Sequence, residues 1–184
     1  SISKINQSVV SMTELLEEVI RFGHSDIDER DNELIEMDMV HQVNTVISNF
    51  ENQTENRINV IVDTSENPLL INTDARKVRL ILNNLIKNAI LYSNSTPEIT
   101  VSIEKVNDEV MVIVKDKGIG VTENDIDMIF DPFYRGENTI GKTGTGLGLA
   151  ISQRYAVTLN GKISVESQTG KGTNFTLTLP MNKL

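Results

Sequence analysis

Apolar residues open the chain at Ile2, Ile5, Val9, Met12, Leu16 and Val19, in alternating steps of three and four. That spacing draws the a/d stripe of a heptad along one side of a helix, and Leu15 and Ile20 widen it. Gly23 stops it. The stripe suits either a coiled-coil or bundle stem or an amphipathic helix lying on its own domain. Residues 24–32 have no apolar period and read as a linker. Beyond them 34–37 fits a short strand. Asp38 fits an N-cap for a helix carrying Met39, Val40, Val43, Val46, Ile47 and Phe50. Residues 58–63 alternate and are β-branched, so they predict a strand, with a short one at 69–71 after Pro68. Thr73 or Asp74 then caps a long helix carrying Val78, Leu80, Ile81, Leu82, Leu85, Ile86, Ala89 and Ile90, so nearly ringed with apolar residues that much of its surface should be buried. Strands at 99–106 and 110–114 flank the turn Asn107-Asp108. A short helix is expected at 125–130, a helix at 149–159, and closing strands at 163–167 and 174–179.

These elements give an α+β fold: a two-layer α/β sandwich with helices on one face of a mixed, mostly antiparallel sheet, preceded by one long helix. The expected division is 1–23 for a partial dimerisation helix, 24–33 for the linker and 34–184 for the main domain. With 184 residues, the chain suits one domain plus an appendage. It has no cysteine, which excludes disulfides, a thiolate nucleophile and a Cys-type zinc site. A net charge of −9 argues against nucleic acid as a partner. No apolar run approaches the ~20 residues of a membrane span. The chain begins with Ser1, and it is read as a piece of a longer protein.

Three clusters carry candidate chemistry. Asn84 and Asn88 stand one helical turn apart, so their amides share a face. Paired buried amides serve most simply as backbone hydrogen-bond partners, and a carboxamide oxygen is also a fair ligand for Mg2+. Asp116 ends a strand that runs into Gly118 and Gly120. A carboxylate there can accept from an exocyclic amine, and glycine lets backbone approach a flat ring; an ordinary Asp-Gly turn reads the same way. Residues 131–148 form a long loop with five glycines that opens a helix, and the loop's N–H groups suit phosphates. Gly141-Lys142-Thr143 is followed by more glycine, not by helix, so it is no Walker A loop. No opening βαβ unit precedes it, so it is no Rossmann fingerprint either.

Helix amide, strand-end Asp and glycine lid follow the order of the N box and the two glycine boxes of the Bergerat-fold ATP-binding superfamily, which the chain resembles over 34–184. Phe130-Asp-Pro-Phe133-Tyr-Arg135 resembles the F box of sensor histidine kinases, and Thr173-Asn-Phe175 lies in a segment like their closing hairpin. The resemblance implies ATP and Mg2+ as ligands. Asn88 would hold the metal, and Asp116, with Gly118, Gly120 and Thr173, would take the adenine. Tyr92 would pack near the base. Gly144, Thr145, Gly146, Leu147 and Gly148 would form the lid against phosphates. Arg135 would clamp the transferring group and, with Asn84 and Asn88, form the catalytic set. Kinases of this kind usually carry Lys where this chain has Leu91, so a phosphate contact is either missing or comes from Lys87, Lys142 or Arg135.

Hydrolases of the superfamily place a water-activating Glu one turn before the metal-binding Asn. Here that position is Asn84, which cannot take a proton at neutral pH. The expected function is therefore phosphotransfer to a histidine on a dimerisation helix absent from this chain. The histidines present, His24 and His41, lack the expected acidic neighbour, and His41 reads as a satisfied interface side chain. The implied partners are that phosphoacceptor helix, a response regulator receiver domain and a second copy in the full-length dimer. The chain itself should not become labelled. The domain is expected in the cytoplasm, whether or not the full protein is membrane-anchored. Two alternatives remain: a serine kinase of the anti-sigma-factor kind, and a non-catalytic nucleotide sensor. A topoisomerase or chaperone ATPase fits least.

Overall fold

The structure is a computed structural model that describes residues 32–53, 59–64, 66–93, 97–136, 139, 142 and 144–181, with 12, 13, 16, 19, 20, 22 and 23. The described positions between 12 and 23 are helical. The rest of the expected stem and linker, His24 included, lies outside the described residues.

Strand β1 (Ile35–Asp38) pairs antiparallel with β3 (Leu70–Thr73) in a two-stranded ribbon, Ile35 opposite Thr73. The main sheet has five strands: β2 (Asn59–Thr64), β4 (Glu98–Val106), β5 (Glu109–Asp116), β6 (Lys162–Gln168) and β7 (Gly172–Pro180). Their order is β2-β4-β5-β7-β6. Only β2–β4 is parallel, because the chain crosses over between them through helix α2 (Ala75–Tyr92). Asn107, at φ 57°, makes the tight β4–β5 turn.

One sheet face is apolar. Ile99, Val101 and Ile103 on β4, Val110, Val112 and Val114 on β5, and Phe175, Leu177 and Leu179 on β7 are all buried. Against it lie α1 (Met39–Gln53), α2 and α3 (Gly148–Thr158). From α2 come Val78, Ile81, Leu82, Leu85, Ile86 and Ala89 on one fully buried face, while Leu80 and Ile90, which made the apolar pattern nearly encircling, are half-buried. The helix starts at Asp74, whose carboxylate accepts from the N–H groups of Arg76 and Lys77. Burial would raise the pKa of Asp74, but the Arg76 side chain and the N–H groups of Lys77, Glu33 and Arg76 outweigh it and hold the carboxyl below its ordinary value. Asp38 caps the start of α1, taking the Val40 N–H at 3.1 Å, and also takes Leu69 N–H at 3.1 Å, which ties α1 to β3.

Two expectations need correction. Residues 125–130 form consecutive turns rather than a helix, with Met128 N–H and Ile129 N–H both bonded to the Asp125 carbonyl. Six residues are too few to repay helix nucleation, and Asp125 is drawn inward instead: it is buried and accepts the Tyr134 hydroxyl at 2.7 Å. His41 is exposed on α1 rather than packed at an interface, because the inward positions of that turn are taken by Val40 and Val43.

The incoming chain is fastened at two helix ends. The Asn32 amide donates to the Thr158 carbonyl at 2.7 Å, and its oxygen accepts from buried Lys77 at 2.8 Å. Phe22 lies edge-on to Phe133, ring centres 6.4 Å apart, with the Arg154 guanidinium 4.1 Å from the Phe22 ring centre.

Candidate nucleotide-binding site

A cavity of about 550 Å3 opens between the end of α2, the end of β5 and the loop leading into α3. This is within the size range that suits a small organic ligand. The structure brings twelve sequence-predicted residues to its lining: Asn84, Lys87, Asn88, Tyr92, Asp116, Gly120, Arg135, Gly144, Thr145, Gly146, Gly148 and Thr173.

Asp116 is the centre of the rigid wall. It is 4% exposed, and its Oδ1 accepts from Gly118 N–H at 2.7 Å and Thr173 N–H at 3.3 Å. Burial raises its pKa above 3.8, and those two N–H bonds pull the other way. With Oδ1 engaged by backbone, Oδ2 is left for a donor in the cavity. The glycines around it are steric necessities. A Cβ on Gly172 would lie 2.0 Å from the Asp116 carbonyl, and one on Gly120 would meet the Gln168 carbonyl at 2.2 Å. Gly118 does not line the cavity: it packs behind Asp116, where a Cβ would stand 2.3 Å from the Tyr92 carbonyl. The Thr173 hydroxyl lies 3.1 Å from Ser167 Oγ, which itself accepts from Val121 N–H at 2.8 Å. Tyr92 lines the cavity as a neutral phenol: burial raises its pKa, and Arg135 opposes that only partly.

On α2, the two amides have different surroundings. Asn84 donates to Ser152 Oγ on α3 at 2.9 Å, and a Cβ on Gly148 would stand 2.2 Å from its Oδ1. Asn84 therefore clamps α2 to the first turn of α3. Asn88 lines the cavity, and its carboxamide has no protein partner among the described residues. It is the better placed of the two to serve a ligand.

The lid wall is held by one backbone bond across its ends and by side chains. Phe133 N–H bonds to the Gly146 carbonyl at 3.0 Å, which joins the loop's two ends. The Arg135 guanidinium bonds to the carbonyls of Thr139 and Lys142. The Lys142 ammonium caps the Leu91 carbonyl at 2.9 Å and does not itself line the cavity. Leu147 is the clearest correction: expected in the lid, it is fully buried in the core, because α3 begins directly after it and needs an apolar anchor there.

Sequence reasoning missed the apolar floor, Ile119, Val121, Ile129 and Phe175, and the Asp125–Tyr134 pair beside it. Phe175 read as a strand position and Ile129 as part of a short helix, and Ile119 and Val121 follow the strand end without a period; only the fold turns them toward a common space. An apolar slot with the buried Asp116 carboxylate at its end suits a flat heterocycle bearing an amino group. A carboxamide and two basic side chains, Lys87 and Arg135, on the opposite side suit a polyanion with a hard cation.

Fold and cavity together define a two-layer nucleotide-binding domain. A family model described as "Histidine kinase-, DNA gyrase B-, and HSP90-like ATPase" matches residues 73–183, and the chain belongs to that family. Sensor histidine kinase WalK of Bacillus subtilis (strain 168) is 36% identical over 147 residues, covering 77% of this chain and 24% of that protein. Full-length ShkA in complex with AMPPNP superposes with a TM-score of 0.86 at 22% identity, over 100% of this chain and 38% of that one. Histidine kinase ThkA in complex with response regulator protein TrrA superposes at 0.80 and 23%, over 98% of this chain and 50% of that one. The two structures attest the shared fold. The chain spans less than half the length of the curated relatives it matches. The motif-based resemblance to sensor histidine kinases holds, and the domain is an ATP-binding one.

Proposed function

We propose that the chain is the catalytic domain of a two-component sensor histidine kinase. It presents Mg-ATP so that the γ-phosphoryl passes to an imidazole nitrogen of a phosphoacceptor histidine on a dimerisation helix outside this chain. The observation that carries this is the meeting of Asn88, Asp116 and the glycine lid around one cavity. Adenine would sit on the apolar floor with its amino group on Asp116, and Asn88 would hold Mg2+, which offsets phosphate charge and orients the triphosphate. Arg135 would meet the transferring group. Asn84, committed to Ser152 where the family's hydrolases need a carboxylate, favours transfer over hydrolysis. His41 has no part in the cavity lining. ThkA, solved with a response regulator, supports a receiver domain as the next partner. A homodimer through the stem and a cytoplasmic setting complete the reading.

The test is incubation with γ-labelled ATP, alone and with a separately produced hairpin bearing the phosphoacceptor. The chain alone should bind ATP and stay unlabelled while the hairpin acquires acid-labile phosphate. Label on a serine of a partner would select the serine-kinase reading, and binding without any transfer the nucleotide sensor.

A further inference from the structure

Two cations, Arg135 and Lys87, line the cavity, a third, Lys142, stands at its rim, and the three are committed to different degrees. The Arg135 guanidinium is spread over two carbonyls of its own loop, Thr139 and Lys142. Its planar fork staples the loop to itself. Lys87 is exposed and is shared with a second groove lined by Phe50, Ser152 and Tyr155. Lys142 is half-buried, and among the described residues its ammonium has one acceptor, the Leu91 carbonyl at 2.9 Å. That carbonyl belongs to the last turn of α2, where backbone oxygens have no intrahelical donor, so the lysine acts as a C-terminal cap. Leu91 itself lines the cavity, so the cap sits at the cavity's rim. A neutral carbonyl is a weaker acceptor for an ammonium than a phosphate oxygen, where both partners are charged. The other charged groups lining the cavity include the carboxylates Asp116 and Asp125, which push a polyanion toward this rim.

We propose that Lys142 is the lid cation that binds the terminal phosphates of the nucleotide, exchanging the Leu91 carbonyl for phosphate oxygen and supplying the charge that Leu91 lacks. The inference rests on the nucleotide reading and chooses among its three cations. Lys142 thus favours ATP over adenosine, alongside Asn88 and Arg135, while Asp116 serves both alike.

Calorimetric titration of this chain with ATP, ADP and adenosine, Mg2+ present, tests it. Lys142→Ala should weaken ATP roughly tenfold, ADP less, and leave adenosine unchanged. Lys142→Gln, whose amide can still cap Leu91 but carries no charge, should behave like Lys142→Ala. Adding Leu91→Lys to either variant should restore ATP binding, because position 91 opens on the same space. Equal loss for all three ligands, or wild-type behaviour of Lys142→Gln, would reduce Lys142 to a lid brace and overturn the proposal. So would failure of Leu91→Lys to restore binding. A wild-type chain that binds neither ATP nor adenosine overturns the nucleotide reading and this assignment with it. A wild-type chain that binds both, matched by Lys142→Ala, overturns the assignment alone.

Discussion

The two walls of the cavity are made in opposite ways. At the end of β5, Asp116, Gly118, Gly120, Gly172 and Thr173 are all buried, and backbone atoms hold the carboxylate from two sides. Across the cavity, Phe133 and Arg135 are exposed, and beyond the Phe133–Gly146 backbone bond the loop is tied to the domain by side chains, among them Tyr134 to Asp125 and Lys142 to Leu91. The first wall is part of the sheet's own packing and cannot shift without it. The second rests on contacts each worth about 1 kcal/mol, which a bound ligand can replace. Base recognition is therefore preorganised, and the phosphate end is assembled on binding.

The strongest way to break this contrast is Asp116→Asn. It turns the cavity's acceptor partly into a donor, so affinity for ATP and for adenosine should fall together, by roughly 100-fold. Unchanged affinity in calorimetry would mean the buried wall does not read the base. The same variant should gain stability at neutral pH. Because the folded pKa of Asp116 lies above its unfolded value, the wild type carries a full penalty above the folded pKa, and that penalty fades as pH falls toward 3.8. Denaturant melts of the two proteins should converge in acid.

Next in size is Gly172→Ala. Its Cβ would lie 2.0 Å from the Asp116 carbonyl, at a φ of +107° that disfavours any side chain, and should cost roughly 2–3 kcal/mol of stability. Gly144→Ala meets nothing closer than the Tyr92 hydroxyl at 4.0 Å, so only its φ of +159° opposes the side chain, and it should cost about 1 kcal/mol. Equal penalties in urea unfolding would erase the distinction between the walls. Tyr134→Phe keeps the ring and removes the bond to Asp125, so ATP affinity should drop about fivefold with adenosine little affected. The smallest effect belongs to a site away from the cavity: Asp74→Ala removes the α2 cap and about 1 kcal/mol. The Asp74 pKa is depressed, so that contribution is present above 3.8 and disappears as pH falls through the lower folded value. Ligand binding should not change.

Much of the rigid wall was legible in the sequence, because local rules govern it. Alternation set β4 and β5, Asn107 marked their turn, Asp74 marked the α2 start, and Asp116 stood at a strand end beside glycines. The lid was harder, because its anchors are distant in sequence. Lys142 reaches back to Leu91, Ser152 reaches Asn84, and buried Lys77 is met by Asn32. No periodicity encodes such pairs. Leu147 misled for a related reason: its glycine neighbours suggested a phosphate loop, while its own apolar side chain was the stronger signal for burial.

The shared carboxylate of Asp116 also sets how fast two amide protons can leave. Those of Gly118 and Thr173 point at one buried oxygen beside the β5–β7 pairing, and solvent base reaches them only when those strands part. In heavy water they should exchange only with opening of the whole domain, while the amide of exposed Gly144 should exchange without it. Deuterium uptake would then split the rim of a single cavity into a slow half and a fast half, and a bound nucleotide would be read chiefly as slowing of the fast one.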